Sequence, residues 1–253
     1  GLFDVLAERT GRRYGLVDYD GDPHAEQVIV VMGSATGAVG EAVEALRRHG
    51  ERVGVLTVRL YRPFPADALV AALPPSVRAV AVLDRTKEPG AVGEPLYTDV
   101  VAALVEAHAD GRLATMPRVI CGRYGLASKE FTPAMAATVL TELDADHPTH
   151  HFTVGIVDDV SHTSLRVDPS FDTDTADLRA VFYGLGEQTD RHVQGYFVYD
   201  SKKSGSVTVS HLRVSDRPIR STYLIERAGF VACHHSDLLE RLDVLGVAEP
   251  GAT

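Results

Sequence analysis

The chain has 253 residues, a formal net charge of −10 and 45% hydrophobic residues, which suits a globular protein of one or two domains with ample core. The acidic balance argues against binding to nucleic acids or to anionic membranes, because both require a basic surface. No apolar run approaches the roughly 20 residues that cross a bilayer, and no secretory signal is recognisable, so we expect a cytoplasmic protein.

The first half of the chain alternates between strand and helix patterns. Residues 1–27 are predicted to be a connecting segment that starts as an amphipathic helix, and residues 28–143 to be one domain. Its strands are predicted at 28–34, 52–60, 77–86 and 117–125, and its helices at 36–50, 65–74, 92–108 and 132–143. Strands joined by helical crossovers predict an α/β fold with a parallel, Rossmann-like sheet covered by helices.

The second half changes character. Residues 144–177, rich in Asp, Thr, His and Pro, are predicted to be a linker with one short strand at 152–157. Residues 178–253 are predicted to be a second, incomplete α/β domain. Its strands are expected at 178–186, 195–200, 206–214, 219–225 and 229–234, followed by a helix from Ser236.

Two long polar loops follow successive strands of the first domain, "DRTKEPGAVGEPLY" (84–97) and "CGRYGLASKEFTP" (121–133). The carboxyl ends of parallel strands meet at one edge of a sheet, where ligands and partner domains usually bind. We therefore expect both loops at the same edge, facing other domains rather than forming a pocket of their own. The charged residues concerned are Arg85, Lys87, Glu88, Glu94, Arg123 and Lys129.

Other motifs allow more than one interpretation. "VMGSATG" (31–37) is either a phosphate-binding turn or a structural turn of the sheet, and it lacks the full glycine fingerprint of nucleotide-binding turns. "CHHSD" (233–237) and the pair His150/His151 contain metal-ligand residue types. Adjacent residues rarely converge on one ion, and the spacing places no further ligand, so no metal site and no catalytic residue is assigned.

A basic turn stands out in this acidic chain. "YFVYDSKKSGSVTVSHLR" (196–213) reads as two strands that flank a turn with adjacent lysines, Lys202 and Lys203. An exposed lysine pair is often only solvated surface. The alternative is a site for an anionic ligand.

Several motifs together resemble the pyruvate:ferredoxin (flavodoxin) oxidoreductases over residues 11–253. They are "RLYRPFP", "AVLDRTKEPGAVGEPLY", "GRYGLASKEFTPAM", "HFTVGIVDDVSHTSL", "DPSFDT", "FYGLG", "QGYFVYDSKKSGSVTVSHLR", "PIRSTYLI" and "FVACH". Complete chains of that family are several times longer, so the resemblance implies an internal segment.

The resemblance implies an activity for the complete enzyme and a separate role for each part of this segment. The complete enzyme decarboxylates a 2-oxoacid, expected to be pyruvate, on thiamine diphosphate with Mg²⁺. It passes electrons through [4Fe–4S] clusters to ferredoxin or flavodoxin, forms acetyl-CoA, and is expected to be a homodimer. Residues 28–143 correspond to a transketolase C-terminal-like domain, and residues from 178 onward to part of the gamma domain on the coenzyme A side. The segment itself is expected to hold no cofactor and to be inactive alone. Its two cysteines, Cys121 and Cys233, could not ligate such clusters.

The resemblance also gives the basic turn a role. Ser201, Lys202, Lys203, Ser204 and Gly205 are expected to face the phosphates of coenzyme A, with the lysines as point charges and the hydroxyls as hydrogen-bond donors.

One departure from the family concerns the connection after "FYGLG". A glycine-rich loop and a helix follow this motif in the family, whereas here only about ten residues lead to the next strand, fewer than a parallel crossover needs. Either that loop is absent, which would weaken coenzyme A binding, or the junction of Gly186 and Glu187 omits a stretch.

Two rival functions stay open. The chain could be a non-enzymatic α/β interaction module derived from the same family, which the missing loop favours. It could also be a nucleotide-binding protein that uses "GSATG" and "YGLG", although no acidic partner for a ribose follows in the expected place.

Overall fold

The computed structural model describes residues 1–157, 160–168, 170–171, 191–198, 209–233, 239–240 and 242–253. The chain forms two compact units. The first comprises Gly1–Thr173 with Arg220–Thr222, and the second comprises Asp174–Ile219 with Tyr223–Thr253. No helix within the described residues has both the length and the apolar composition to span a membrane.

The first unit is built on a six-stranded, mostly parallel sheet. Its strands are β1 (Val17–Gly21), β2 (Gln27–Val31), β3 (Val53–Val58), β4 (Ala79–Asp84), β5 (Arg118–Tyr124) and β6 (Phe152–Val154). They lie side by side in the order β1-β3-β2-β4-β5-β6, and only β1 is antiparallel to its neighbour. The predicted α/β class with a Rossmann-like sheet is confirmed.

Helices cover both faces of this sheet. They are α2 (Thr36–Arg48), α3 (Ala66–Ala72), α4 (Pro95–Ala109) and α5 (Pro133–Leu143). A further helix, α1 (Leu2–Thr10), has no buried residue. Helices α2 and α5 pack against each other over one face, and α3 and α4 do so over the other. All residues of β3 and β4 are buried, as expected for central strands enclosed on both sides.

Local signals in the sequence explain where several helices begin. Thr132 caps α5 by accepting a hydrogen bond from the backbone N–H of Met135 at 3.4 Å, and Pro133 follows at the first helical position. Pro95 opens α4 in the same way. The strands and helices predicted for 28–143 are confirmed to within a few residues.

The sequence did not reveal β1. Its segment "VDYDG" carries two aspartates and a glycine, so its composition is typical of a turn. It forms a strand because Val17–Gly21 pairs with Val58–Gly54 along the outer side of β3. The predicted boundaries of the domains stay a prediction.

The second unit contains a two-stranded antiparallel sheet within the described residues. It consists of β7 (His192–Val198) and β8 (Val209–Ser215), so two of the strands predicted there are confirmed. The side chain of Arg213 is almost fully buried, stacks on the ring of Tyr223 and donates to its hydroxyl at 2.8 Å. The rings of Tyr196 and His211, opposite each other in the register, stack at 4.7 Å.

Three predictions for this unit were wrong. Residues 219–225 and 229–233 form no strand, and residues 239–240 and 242–247 form bends and turns rather than the helix expected after Ser236. A strand needs a neighbour for its backbone hydrogen bonds, and apolar alternation alone does not provide one.

Candidate functional site at the carboxyl edge of the sheet

The two polar loops lie at the same edge of the sheet, as predicted. They follow β4 and β5, which pair in parallel from Ala79 and Arg118 to Asp84 and Arg123. Lys87, Glu88 and Lys129 are exposed on these loops. That they face other domains stays a prediction.

Arg85 ties together the turns that follow three strands. Its Nε donates to the carbonyl oxygen of Gly125 at 3.1 Å, and its Nη1 donates to the hydroxyl of Ser34 at 3.0 Å. Tyr124 adds a link, because its hydroxyl donates to the carbonyl of Met32 at 3.2 Å. The "VMGSATG" turn therefore has its Ser34 side chain engaged within the protein, which supports the interpretation as a structural turn.

Beneath the loops, three charged side chains lie near one another: the buried carboxylates of Asp84 and Glu94, and the guanidinium of Arg123. The Asp84 carboxylate accepts hydrogen bonds from the backbone N–H groups of Leu96 and Tyr97 at 3.0 and 3.1 Å, so a side chain of β4 caps α4. Burial raises the pKa of Asp84, and these two donors oppose the rise. Glu94, 3% exposed, pairs with Arg123 at 3.2 Å.

Next to Arg123 the fold brings together a thiol and two imidazoles. The Sγ of Cys121 lies 3.1 Å from Nδ1 of His151 and 3.5 Å from Nδ1 of His150. The Nε2 of His150 lies 3.4 Å from the hydroxyl of Tyr97. Cys121 is fully buried, whereas both histidines are exposed, and the three candidate ligand atoms all lie within 4.8 Å of one another.

The sequence could not reveal this cluster because its members are about 30 residues apart. They meet because β6 pairs in parallel with β5, with Phe152 opposite Gly122, so His150 and His151 arrive beside Cys121. The usable signal was the order of the strands, since two successive strands joined by a helix are often neighbours.

The environment of the cluster disfavours the charged forms of Cys121 and His150. Burial raises the pKa of Cys121 to about 11, helped by the charges of Glu94 and Asp84 and opposed by His151 and Arg123. Burial, followed by the charge of His151, lowers the pKa of His150. A buried thiol with a raised pKa is not an activated nucleophile.

The predicted coenzyme A residues Ser201, Lys202, Lys203, Ser204 and Gly205 lie outside the described residues. The strands that flank them pair in antiparallel register, ending with Val198 opposite Val209. The motif "FYGLG" and the Gly186–Glu187 junction also lie outside the described residues, as do residues 234–237 of "CHHSD".

Comparison with known proteins gives two matching family models. Residues 25–123 match pyruvate:ferredoxin oxidoreductase core domain II, and residues 181–252 match pyruvate ferredoxin/flavodoxin oxidoreductase. Together the two ranges cover more than half of the chain.

Individual relatives match over nearly the whole chain. A pyruvate-flavodoxin oxidoreductase of Rhodospirillum rubrum is 56% identical over 269 residues, covering 99% of this chain and 23% of the relative. A pyruvate-flavodoxin oxidoreductase of a Nostoc species is 52% identical, covering 100% of this chain and 23% of the relative. A pyruvate:ferredoxin oxidoreductase of Moorella thermoacetica is 47% identical, covering 99% and 22%. The chain thus spans less than a quarter of the length of these relatives.

Proposed function

The chain belongs to the pyruvate:ferredoxin/flavodoxin oxidoreductase family, and we propose that it is part of a larger enzyme that oxidatively decarboxylates pyruvate. In this proposal the complete enzyme forms acetyl-CoA and delivers the electrons to ferredoxin or flavodoxin in the cytoplasm. The observation that carries the proposal is the 56% identity to a pyruvate-flavodoxin oxidoreductase across 99% of the chain. Identity of this extent in a single stretch supports a shared place within the enzyme as well as a shared fold.

The first unit serves as a scaffold and an interface in this enzyme. Its internal charged groups are already committed, since Asp84 caps α4, Glu94 pairs with Arg123 and Arg85 bridges two turns. Lys87, Glu88 and Lys129 remain exposed around them. An edge with paired inner charges and charged outer groups suits docking of neighbouring domains, including those of a second subunit in a homodimer.

The cofactors belong to other parts of the enzyme. A [4Fe–4S] cluster needs four thiolates, and this chain has two cysteines. Thiamine diphosphate, with its Mg²⁺, supplies the carbanion-stabilising chemistry of decarboxylation when bound. The contribution of this chain is to position the domains that surround the reaction.

The second unit faces coenzyme A through Ser201, Lys202, Lys203, Ser204 and Gly205. The support is the antiparallel pairing of β7 and β8, the two strands that flank these residues in the sequence. Two ammonium groups match the phosphates of coenzyme A, with the serine hydroxyls as further donors.

The test replaces both lysines in the complete enzyme. The Lys202→Ala/Lys203→Ala variant should raise the KM for coenzyme A by about 5–150-fold, the equivalent of about 1–3 kcal/mol for lost charge-assisted hydrogen bonds. Single-turnover decarboxylation of pyruvate without coenzyme A should stay unchanged.

The matched control removes two positive charges elsewhere. Arg52→Ala/Arg78→Ala deletes two exposed arginines that pair with Glu26 at the opposite edge of the sheet, and should leave the KM for coenzyme A as it was. An unchanged KM in the lysine variant would exclude the coenzyme A role. Equal loss of the coenzyme A-dependent reaction and of single-turnover decarboxylation would indicate a role in folding or docking instead.

A non-enzymatic module is the second candidate function. The observation that favours it is the short connection between "FYGLG" and β7, together with aligned stretches of 269 and 277 residues that exceed the 253 of this chain. The mass of the natural protein separates the two candidates, because the module would have about the size of this chain and the enzyme would be several times larger.

A further inference from the structure

We propose that Cys121, His150 and His151 form a binding site for a zinc ion, separate from the cofactors of the oxidoreductase. In a tetrahedral zinc site, Zn–S and Zn–N distances of about 2.3 and 2.0–2.1 Å place sulfur and nitrogen about 3.6 Å apart. The Sγ of Cys121 lies 3.5 Å and 3.1 Å from the Nδ1 atoms of His150 and His151. Both sulfur–nitrogen distances are therefore within about half an ångström of that spacing, and the three candidate ligand atoms all lie within 4.8 Å of one another.

The backbone around the site holds the ligands in place. Arg123 donates from Nη2 to the carbonyl oxygen of His151 at 2.7 Å, and Glu94 holds Arg123 from the other side. His151 has a φ of 57°, a conformation that a non-glycine residue adopts only when its surroundings impose it. Cys121 is fixed in the middle of β5.

An outer contact of the kind found around metal-bound histidines is also present. If Nδ1 of His150 binds the ion, its Nε2 carries the proton, and Nε2 lies 3.4 Å from the hydroxyl of Tyr97. A Cβ at Gly93 would come within 2.3 Å of the Tyr97 ring, so the glycine leaves the space that this ring occupies. Tyr97 thereby orients His150.

The ligand set selects the class of ion. One thiolate and two imidazoles favour zinc and similar transition metals, whereas Mg²⁺ and Ca²⁺ prefer oxygen ligands. Three protein ligands leave a fourth position, which water can occupy because both histidines are exposed. The ion would join the segment before β6 to β5, the strand beside it.

A cysteine nucleophile is the competing interpretation of the same residues. The Cys121 side chain is fully buried, so a substrate could not reach its sulfur without the segment moving away. A single ion is far smaller than a substrate, and it can reach the sulfur from the exposed imidazoles, whose Nδ1 atoms lie 3.5 and 3.1 Å from it. The geometry therefore favours metal binding.

The experiment measures metal binding directly. Zinc is quantified by elemental analysis in the natural protein that contains this chain, where iron and magnesium give separate signals. The 253-residue chain, stripped with a chelator, is then titrated with Zn²⁺ and with Co²⁺ as a spectroscopic probe. We expect one equivalent of zinc per chain and a thiolate-to-cobalt charge-transfer band.

Variants assign the ligands. Cys121→Ser and His150→Ala/His151→Ala should each abolish stoichiometric binding. Tyr97→Phe should weaken binding by about 10–100-fold, the usual effect of an outer partner. The matched controls are Cys233→Ser and His49→Ala/His108→Ala, which remove the other cysteine and two histidines at helix ends and should bind zinc normally.

Two results would overturn the proposal. One is the absence of stoichiometric zinc in the unaltered protein, which would show that the cluster is only a packed, hydrogen-bonded group. The other is full binding by the His150→Ala/His151→Ala variant. Both replaced side chains are exposed, so this variant should fold, and circular dichroism checks that it does.

Discussion

The two units of the chain stabilise their strands by different means. In the first, α2 and α5 cover one face of the sheet and α3 and α4 cover the other, so every residue of β3 and β4 is buried. In the second, the described residues give a two-stranded sheet in which His192, Val193 and Val209 are exposed, and burial is concentrated at Arg213, Val214 and Ser215.

The two units therefore differ in the source of their stability. Two strands alone bury too little apolar surface to be stable in water, whereas a sheet enclosed by helices is self-sufficient. In the proposed enzyme, the first unit is therefore the scaffold, whereas the described residues of the second unit show no sheet enclosed by helices.

The largest effect should come from breaking the ion pair buried in the first unit. Arg123→Met leaves Glu94 buried without its partner and should lower the free energy of unfolding by about 3–5 kcal/mol. The control in the second unit is Arg191→Ala, which breaks an exposed pair with Asp216 and should cost about 0–1 kcal/mol. Urea unfolding measures both, and similar losses would break the contrast between the units.

Truncating apolar side chains tests the same difference between the two units without removing a charge. Leu104 of α4 is fully buried, so Leu104→Ala should lower the free energy of unfolding by about 2–5 kcal/mol. Val193 of β7 is 37% exposed, and Val193→Ala should change the free energy of unfolding by less than about 0.5 kcal/mol. A large cost at Val193 would show that the second unit has a core of its own.

Glycines in the two sheets give a finer comparison. A Cβ at Gly122 of β5 would lie 2.0 Å from the Phe152 ring, so Gly122→Ala should cost about 1–3 kcal/mol through overpacking. At Gly195 of β7 the nearest atom is Cδ1 of Leu212 at 3.3 Å, and Gly195→Ala should be nearly neutral. The melting temperatures of both variants test this expectation. A Gly122→Ala variant with the melting temperature of the unaltered chain would contradict it.

The smallest effect is a pH dependence confined to the first unit. The folded-state pKa of Asp84 is raised above its usual 3.8, so its contribution to stability is fully present below that value and declines as the pH rises through the folded-state pKa. Removing the charge with Asp84→Asn should flatten this part of the stability profile. Urea unfolding at a series of acidic pH values checks it, and identical profiles would contradict the assignment.

The sequence predicted the first unit well because its signals are local. Continuous apolar runs, Pro95, Pro133 and the Thr132 cap each depend on a few neighbouring residues. β1 was missed because its strand conformation comes from pairing with β3 rather than from its own composition. In the second unit, the wrong strands at 219–225 and 229–233 were apolar patterns that pair with no strand among the described residues.

The candidate site also has one part that the sequence predicts and another part that it does not. The shared edge of the two loops followed from the order of parallel strands and could be predicted. The cluster of Cys121, His150 and His151 could not, because it depends on β6 lying beside β5 in one particular register. The family resemblance came from long ordered motifs, and the relatives confirm it.

The most direct test of the proposed function is the activity of the natural protein that contains this chain. The purified protein is assayed for reduction of ferredoxin or flavodoxin with pyruvate, in the presence and absence of coenzyme A, and its mass is measured alongside. We expect a protein several times larger than this chain that reduces the acceptor only when pyruvate and coenzyme A are both present. A protein of about this chain's size, without pyruvate-dependent reduction, would contradict it.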